Sequence, residues 1–164
     1  MKRKVYCAAL ALAFAMMLCA AFALAETAYV DNGSDPESRL NMRSAPDKNA
    51  ASLGKFYSGT QVQIVADAGG GWAQVAIGGV NGYMMTQYLR GEMSGVLDAR
   101  PGRKVASLYG TPAVVLRDRP SDSYNAVTML AVGESVRVIG VSGDFCYVCT
   151  QGGEIGCLAG DELK

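Results

Sequence analysis

The sequence predicts an all-β protein: two small barrels in tandem behind an N-terminal secretory leader. Three observations predict it. One ordered pattern of residues recurs 74 positions later, segments inside each copy alternate polar and apolar side chains, and glycine clusters break the chain between those segments. Repeats of this kind decide a fold before composition does, and a period of two side chains belongs to half-buried strands.

The leader comes first. Lys2, Arg3 and Lys4 form a positive start, 5–22 is apolar almost throughout, and Ala23-Leu24-Ala25 places small residues before Glu26. This is the layout of a signal peptide over 1–25. A retained membrane anchor is the alternative, because the apolar run approaches the roughly 20 residues that span a bilayer. Leu18 argues against a lipid site at Cys19. Cleavage after Ala25 leaves 139 of the 164 residues, with 12 basic against 15 acidic side chains. No Lys/Arg stripe exists to neutralise phosphates, so nucleic acid is not an expected partner. The product is expected to be secreted or held at the cell envelope, without membrane insertion.

The repeat aligns Leu40-Asn41-Met42-Arg43 and Pro46 with Val114-Val115-Leu116-Arg117 and Pro120. It continues through Gly59-Thr60 against Gly133-Glu134, and Val62, Ile64 and Val65 against Val136, Val138 and Ile139. A one-residue shift pairs Trp72 with Phe145; Gly82-Tyr83-Met84 then meets Gly156-Cys157-Leu158. Strands are expected near 27–31, 61–65, 72–77 and 80–85, and near 104–109 and 135–139 in the second copy. Gly78-Gly79 and Gly152-Gly153 read as tight hairpin turns, since glycine accepts the positive φ of primed turns. Units are therefore expected at 26–90 and 104–164, joined by a polar linker over 91–103.

Short antiparallel strands hide their edges by closing into a barrel. The first core is expected from Leu40, Met42, Leu53, Phe56, Val62, Ile64, Val75, Met84 and Leu89. The second follows from Val114, Leu116, Leu130, Val136, Val138, Val148, Leu158 and Leu163. Extensive helix, or one continuous sheet shared across both halves, would contradict two separate cylinders.

The string Leu-Asn-Met-Arg-Ser-Ala-Pro (40–46), Gly59-Thr60, Gly71-Trp72-Ala73-Gln74-Val75, Gly82-Tyr83-Met84 and Tyr88-Leu89 resembles the bacterial SH3 (SH3b) domain. The second stretch is similar but degenerate, with Val115, Phe145, Cys157 and Glu162 at the Asn, Trp, Tyr and closing Tyr positions. The resemblance implies a non-catalytic SH3-like barrel of exported proteins, tied to peptidoglycan, its peptide stems or protein partners. No cofactor is implied.

Histidine is absent from the whole chain. Neutral-pH proton shuttles, most zinc sites and Ser-His or Cys-His pairs rely on imidazole, so no enzyme is expected. Trp72, Tyr83 and Tyr88, with Tyr57 nearby, are the candidate ligand surface, because rigid aromatic rings dominate binding hot spots. Covering one barrel end is the bland alternative. Asn41 is an even choice between ligand and structure. Arg43 and its counterpart Arg117 read as structural, bonding a turn carbonyl.

Cys146, Cys149 and Cys157 remain after leader removal. Residues three apart in a strand face opposite sides, so Cys146 and Cys149 make neither a metal clamp nor a redox pair. A turn at Gly152-Gly153 would set Val148 opposite Cys157, making Cys146–Cys157 the expected pairing if any disulfide forms. Small buried apolar thiols, without any disulfide, are the preferred reading. Asp31-Asn32-Gly33-Ser34-Asp35 lacks the later Glu of a calcium loop. The functional expectation is recognition of a cell-wall peptide or glycan; a protein–protein adaptor or sensor of the envelope is the alternative.

Overall fold

The computed structural model describes residues 26–94, 102–107, 110–121 and 123–164. The expected leader over 1–25 and part of the expected linker fall outside the described residues.

The all-β class holds. In the first half, β1 (Glu26–Val30), β2 (Arg39–Arg43), β3 (Ser52–Tyr57), β4 (Gln61–Gly69), β5 (Trp72–Ile77) and β6 (Val80–Met85) precede a 3₁₀ turn (Thr86–Tyr88) and β7 (Leu89–Arg90). In the second, β8 (Gly102–Lys104), β9 (Ala113–Arg117), β10 (Ala126–Ala131), β11 (Ser135–Ser142), β12 (Phe145–Thr150) and β13 (Ile155–Ala159) precede another 3₁₀ turn (Gly160–Glu162). The linker's end belongs to the sheet: Arg103 of β8 pairs with Val136 of β11. The opening strand of the second half is thus shorter and earlier than alternation suggested, and Leu108 and Tyr109 are not among the described residues.

The two halves share part of one strand-pairing pattern, although β7, which pairs with β1, has no strand counterpart in the second half. β2 pairs with β3 and β6 in the first half, as β9 pairs with β10 and β13 in the second. Even single contacts recur, Arg43 opposite Tyr83 and Arg117 opposite Cys157.

Two expectations change. Hydrogen bonding follows one open path, β10-β9-β13-β12-β11-β3-β2-β6-β5-β4-β1-β7, with β8 on β11, so neither unit is a closed, separate cylinder. The halves share a short ladder in which Gly140 and Val141 of β11 pair with Phe56 and Lys55 of β3. The reason is an unfilled edge. β8 covers β11 only along Ser135 to Arg137, leaving free backbone groups beyond it that must find partners or water.

Side chains seal the junction. Phe56 and Tyr147 meet with ring centroids 4.8 Å apart at 47°, and the Tyr147 hydroxyl donates to the Leu53 carbonyl at 3.2 Å. Thr60 Oγ1 donates to the Ile139 carbonyl at 2.9 Å, fully buried. Burial raises the Tyr147 phenol well above its ordinary range, with a smaller push from Cys157, so it stays a donor. Ile139, Tyr147 and Cys157 consequently belong to the first half's core beside Met42, Phe56 and Val75. The expected core residues are buried, except that Leu53, Ile64, Val138 and Leu89 are only partly covered.

Glycine at 140 permits the close crossing. A Cβ there would lie 2.7 Å from Phe56 Cδ1 and 2.9 Å from the Lys55 carbonyl. Gly140→Val is therefore expected to destabilise the protein by about 1–3 kcal/mol through overpacking. Denaturant unfolding followed by fluorescence of Trp72, the chain's single tryptophan, reads this from the opposite half. An unshifted Trp72 midpoint would mean that the halves unfold independently.

Candidate functional site

β2 alternates. Leu40 and Met42 enter the core, so Arg39, Asn41 and Arg43 point the other way. β5 begins with Trp72 on that outer face, paired to Met85 of β6. The 3₁₀ turn brings Tyr88 alongside, and the 44–51 loop brings Lys48. Together Arg39, Asn41, Arg43, Lys48, Trp72 and Tyr88 line most of a groove of about 500 Å³.

Each wall is fixed locally. Arg43 Nη1 donates to the Ala50 carbonyl at 2.7 Å, pinning the loop that carries Lys48. Asp47 Oδ1 accepts from the Asn49 amide at 2.7 Å inside that loop. Asn41 Oδ1 accepts from Ser52 Oγ at 3.0 Å, leaving its amide nitrogen for another partner. Trp72 is only 8% exposed, so it offers an edge and supports the wall. Among the described residues, three cations line the groove and no carboxylate does. Such a site favours an anion beside an aromatic face.

The remaining aromatic candidates lie elsewhere. Tyr83 sits half-buried on β6 opposite Gln74 and Arg43, one step along the same face and outside the lining. Tyr57 is buried at the end of β3 with the Arg39 guanidinium 5.6 Å over its ring. It bears on the groove through Arg39. Sequence reasoning passed over Arg39 and Lys48, which flank recognised motifs on a strand and in a loop.

The second half fills the equivalent place. Arg117 donates through Nη1 to Glu162 Oε2 at 2.7 Å and through Nη2 to Oε1 at 3.2 Å. Both side chains are largely covered, at 16% and 15% exposure. The guanidinium also lies 5.0 Å from the Tyr124 ring centroid and 5.7 Å from that of Phe145. Its hydrogen bond to Glu162 raises the Arg117 pKa and holds it charged. Glu162 stands where the first half has Tyr88. A side chain within the molecule occupies the cation there.

The cysteine register needs correction. The hairpin after β12 closes through Thr150 N to the Glu154 carbonyl at 2.9 Å, with Gln151, Gly152 and Gly153 in the loop. The loop holds one residue more than a Gly-Gly turn, and a one-residue slip exchanges the faces of the strand. Cys157 therefore pairs with Tyr147, while Cys146 pairs with Leu158. Cys146 packs on the second core and Cys157 lies in the first. All three thiols are free, and the register moves Cys146 and Cys157 off the diagonal on which a Cys146–Cys157 pairing depended. Among the described residues, no three acidic or cysteine side chains group as metal ligands.

A second cavity of about 490 Å³ opens where the halves meet, with Gln63, Ile77, Arg137, Cys149 and Ile155 in its walls. It holds one cation and no aromatic ring, so the groove on the first half is the stronger candidate. Its existence depends on the junction, whose paired strands lie far apart in the sequence.

Comparison with known proteins bears on the same half. The family model described as bacterial SH3 domain matches residues 38–90. YrvJ of Bacillus subtilis (strain 168), named as an inferred N-acetylmuramoyl-L-alanine amidase, is 24% identical over 128 residues. That match covers 74% of this chain and 24% of YrvJ, so the chain spans about a quarter of its relative. Among solved structures, NlpC1 and NlpC2 from Trichomonas vaginalis align at 14% and 15% identity with TM-scores of 0.39 and 0.37. Those alignments cover 85% of this chain in each case, and 45% and 47% of the respective neighbour.

Two outcomes follow from the geometry. Glu162→Ala removes both oxygens from the covered Arg117 and is expected to lower stability by about 1.5–3 kcal/mol, read by chemical denaturation. Burial, followed by the nearby Asp118 charge, pushes the Cys157 thiol up to about 12. A raised pKa keeps it protonated, so Cys157 should resist iodoacetamide at pH 8 until denaturant is added. Rapid native labelling of Cys157, or a Cys146–Cys157 peptide in the unreduced protein, would show the register to be wrong.

Proposed function

Starting from residues 38–90 as a bacterial SH3 domain, we propose that the chain is a non-catalytic binding protein of the cell envelope whose groove takes a carboxylate-bearing peptide stem of the wall. The observation that carries this reading is the groove itself: three cations and the Trp72 and Tyr88 rings, with no acidic side chain in the lining among the described residues. Free carboxylates end or branch from wall peptides, and a guanidinium binds them through charge-assisted hydrogen bonds. Aromatic rings supply rigid contact area for the rest of the peptide.

Two further points support it. YrvJ, to which the chain is similar, is named as an inferred N-acetylmuramoyl-L-alanine amidase. A chain without histidine and a groove without paired carboxylates suit binding better than hydrolysis. Removal of the 1–25 leader would deliver the protein to that wall.

Because Trp72 is part of the packing, loop cation Lys48 is the cleaner probe. Lys48→Glu is expected to weaken retention on purified sacculi about tenfold, equivalent to about 1.4 kcal/mol, with an unchanged circular dichroism spectrum. Amidating the sacculus carboxylates should erase the difference between variant and wild type. Equal retention of both proteins on untreated sacculi would remove the groove from the reading. Failure of the wild type to bind sacculi at all would overturn the wall ligand.

A further inference from the structure

The junction between the halves is half of a contact that the repeat also builds elsewhere. Within the chain, β3 of the first half pairs with β11 of the second. By the repeat, β10 corresponds to β3, and β4 corresponds to β11. Leu130 and Met129 stand for Phe56 and Lys55; Ala66 and Asp67 stand for Gly140 and Val141. Both counterparts are open. β10 has β9 as its one neighbour, and β1 covers β4 no further than Ile64, among the described residues.

The exposed apolar side chains sit on these two edges. Val65 is 49% exposed, whereas its counterpart Ile139 is 6% exposed inside the junction. Val127 and Met129 of β10 are 43% and 59% exposed, and Val132 just beyond is 46% exposed. Among the described residues, four of the five large exposed hydrophobics thus mark two short edges. β10 also lacks a defence, since Ala-Val-Thr-Met-Leu-Ala carries neither charge nor proline where edge strands usually do.

Shape agrees as well. At the existing junction Gly140 must lack a Cβ because Phe56 fills the space. At the open pair, Ala66 adds a methyl and Leu130 is smaller than Phe56. Gly54 lies so close to Tyr147 that a Cβ would come within 2.9 Å of its ring. Its counterpart Thr128 would face Gln74, which takes the place of Tyr147.

We propose that the β10 edge of one molecule pairs with the 65–67 stretch of β4 in a second copy of this chain, repeating the internal junction head to tail. Such a contact is heterologous, so it propagates into a ring or filament instead of stopping at a two-fold dimer. Each added copy would extend the sheet and present another groove on the same assembly.

Sedimentation velocity of the protein, purified as the cell accumulates it, tests this from about 1 µM to about 1 mM. The sedimentation coefficient should climb with concentration through successive species. Val127→Lys spoils one edge and Val65→Lys the other. Each variant alone should stay monomeric with a native circular dichroism spectrum. Mixed, they should form a 1:1 dimer and nothing larger, because one intact β10 edge meets one intact β4 edge. A wild type monomeric throughout the range overturns the proposal. So does a Val65→Lys variant that still self-associates, or a mixture that gives no dimer. These results leave sacculus binding by the groove unaffected, so the two readings fail separately.

Discussion

The fold depends on a place where two backbones pass without a side chain between them. At Gly140 the β11 strand lies against Phe56 and the Lys55 carbonyl closely enough to exclude a Cβ. With this contact go the tilted Phe56–Tyr147 ring contact, the buried Thr60 hydrogen bond and the inclusion of Cys157 in the first core. A domain of about sixty residues buries a smaller share of its surface than a larger one. Here the first half gains core residues from the second. The shared sheet is thus part of how the first half is stabilised.

The repeat shows how one scaffold serves two ends. Arg43 and Arg117 occupy the same strand position. Arg117 is held by Glu162, with the Tyr124 and Phe145 rings alongside. Arg43 reaches a loop carbonyl and lines an open groove, with Tyr88 where the carboxylate would be. The difference is electrostatic. A guanidinium paired within the molecule contributes to stability, whereas one facing a groove retains attraction for an outside anion.

Most of the strand plan was legible, because alternation and glycine punctuation are local. β5 and β6 fall at the positions the pattern marks, and the Gly78-Gly79 turn places positive φ, 58°, at Gly78. Of the groove, Asn41, Trp72 and Tyr88 were legible from residue type; Lys48 was hidden because loops carry no periodicity. The junction left one trace. Phe145-Cys146-Tyr147-Val148-Cys149 is apolar without alternation, which marks a strand covered on both faces. The cysteine register failed through a single residue in a hairpin, the kind of detail that Gly-Gly does not specify.

The junction joins residues lying far apart in the chain: Phe56 waits for Gly140. A ribosome makes the first half earlier, and N-terminal domains fold first. During that interval β3 presents a bare edge and Phe56 lacks its aromatic neighbour. Native pairing of that edge is a race between arrival of the second half and encounter with another incompletely folded molecule. Late arrival of the second half would lengthen the vulnerable period, and crowding would raise the hazard of domain-swapped products, in which β11 of one molecule reaches β3 of another.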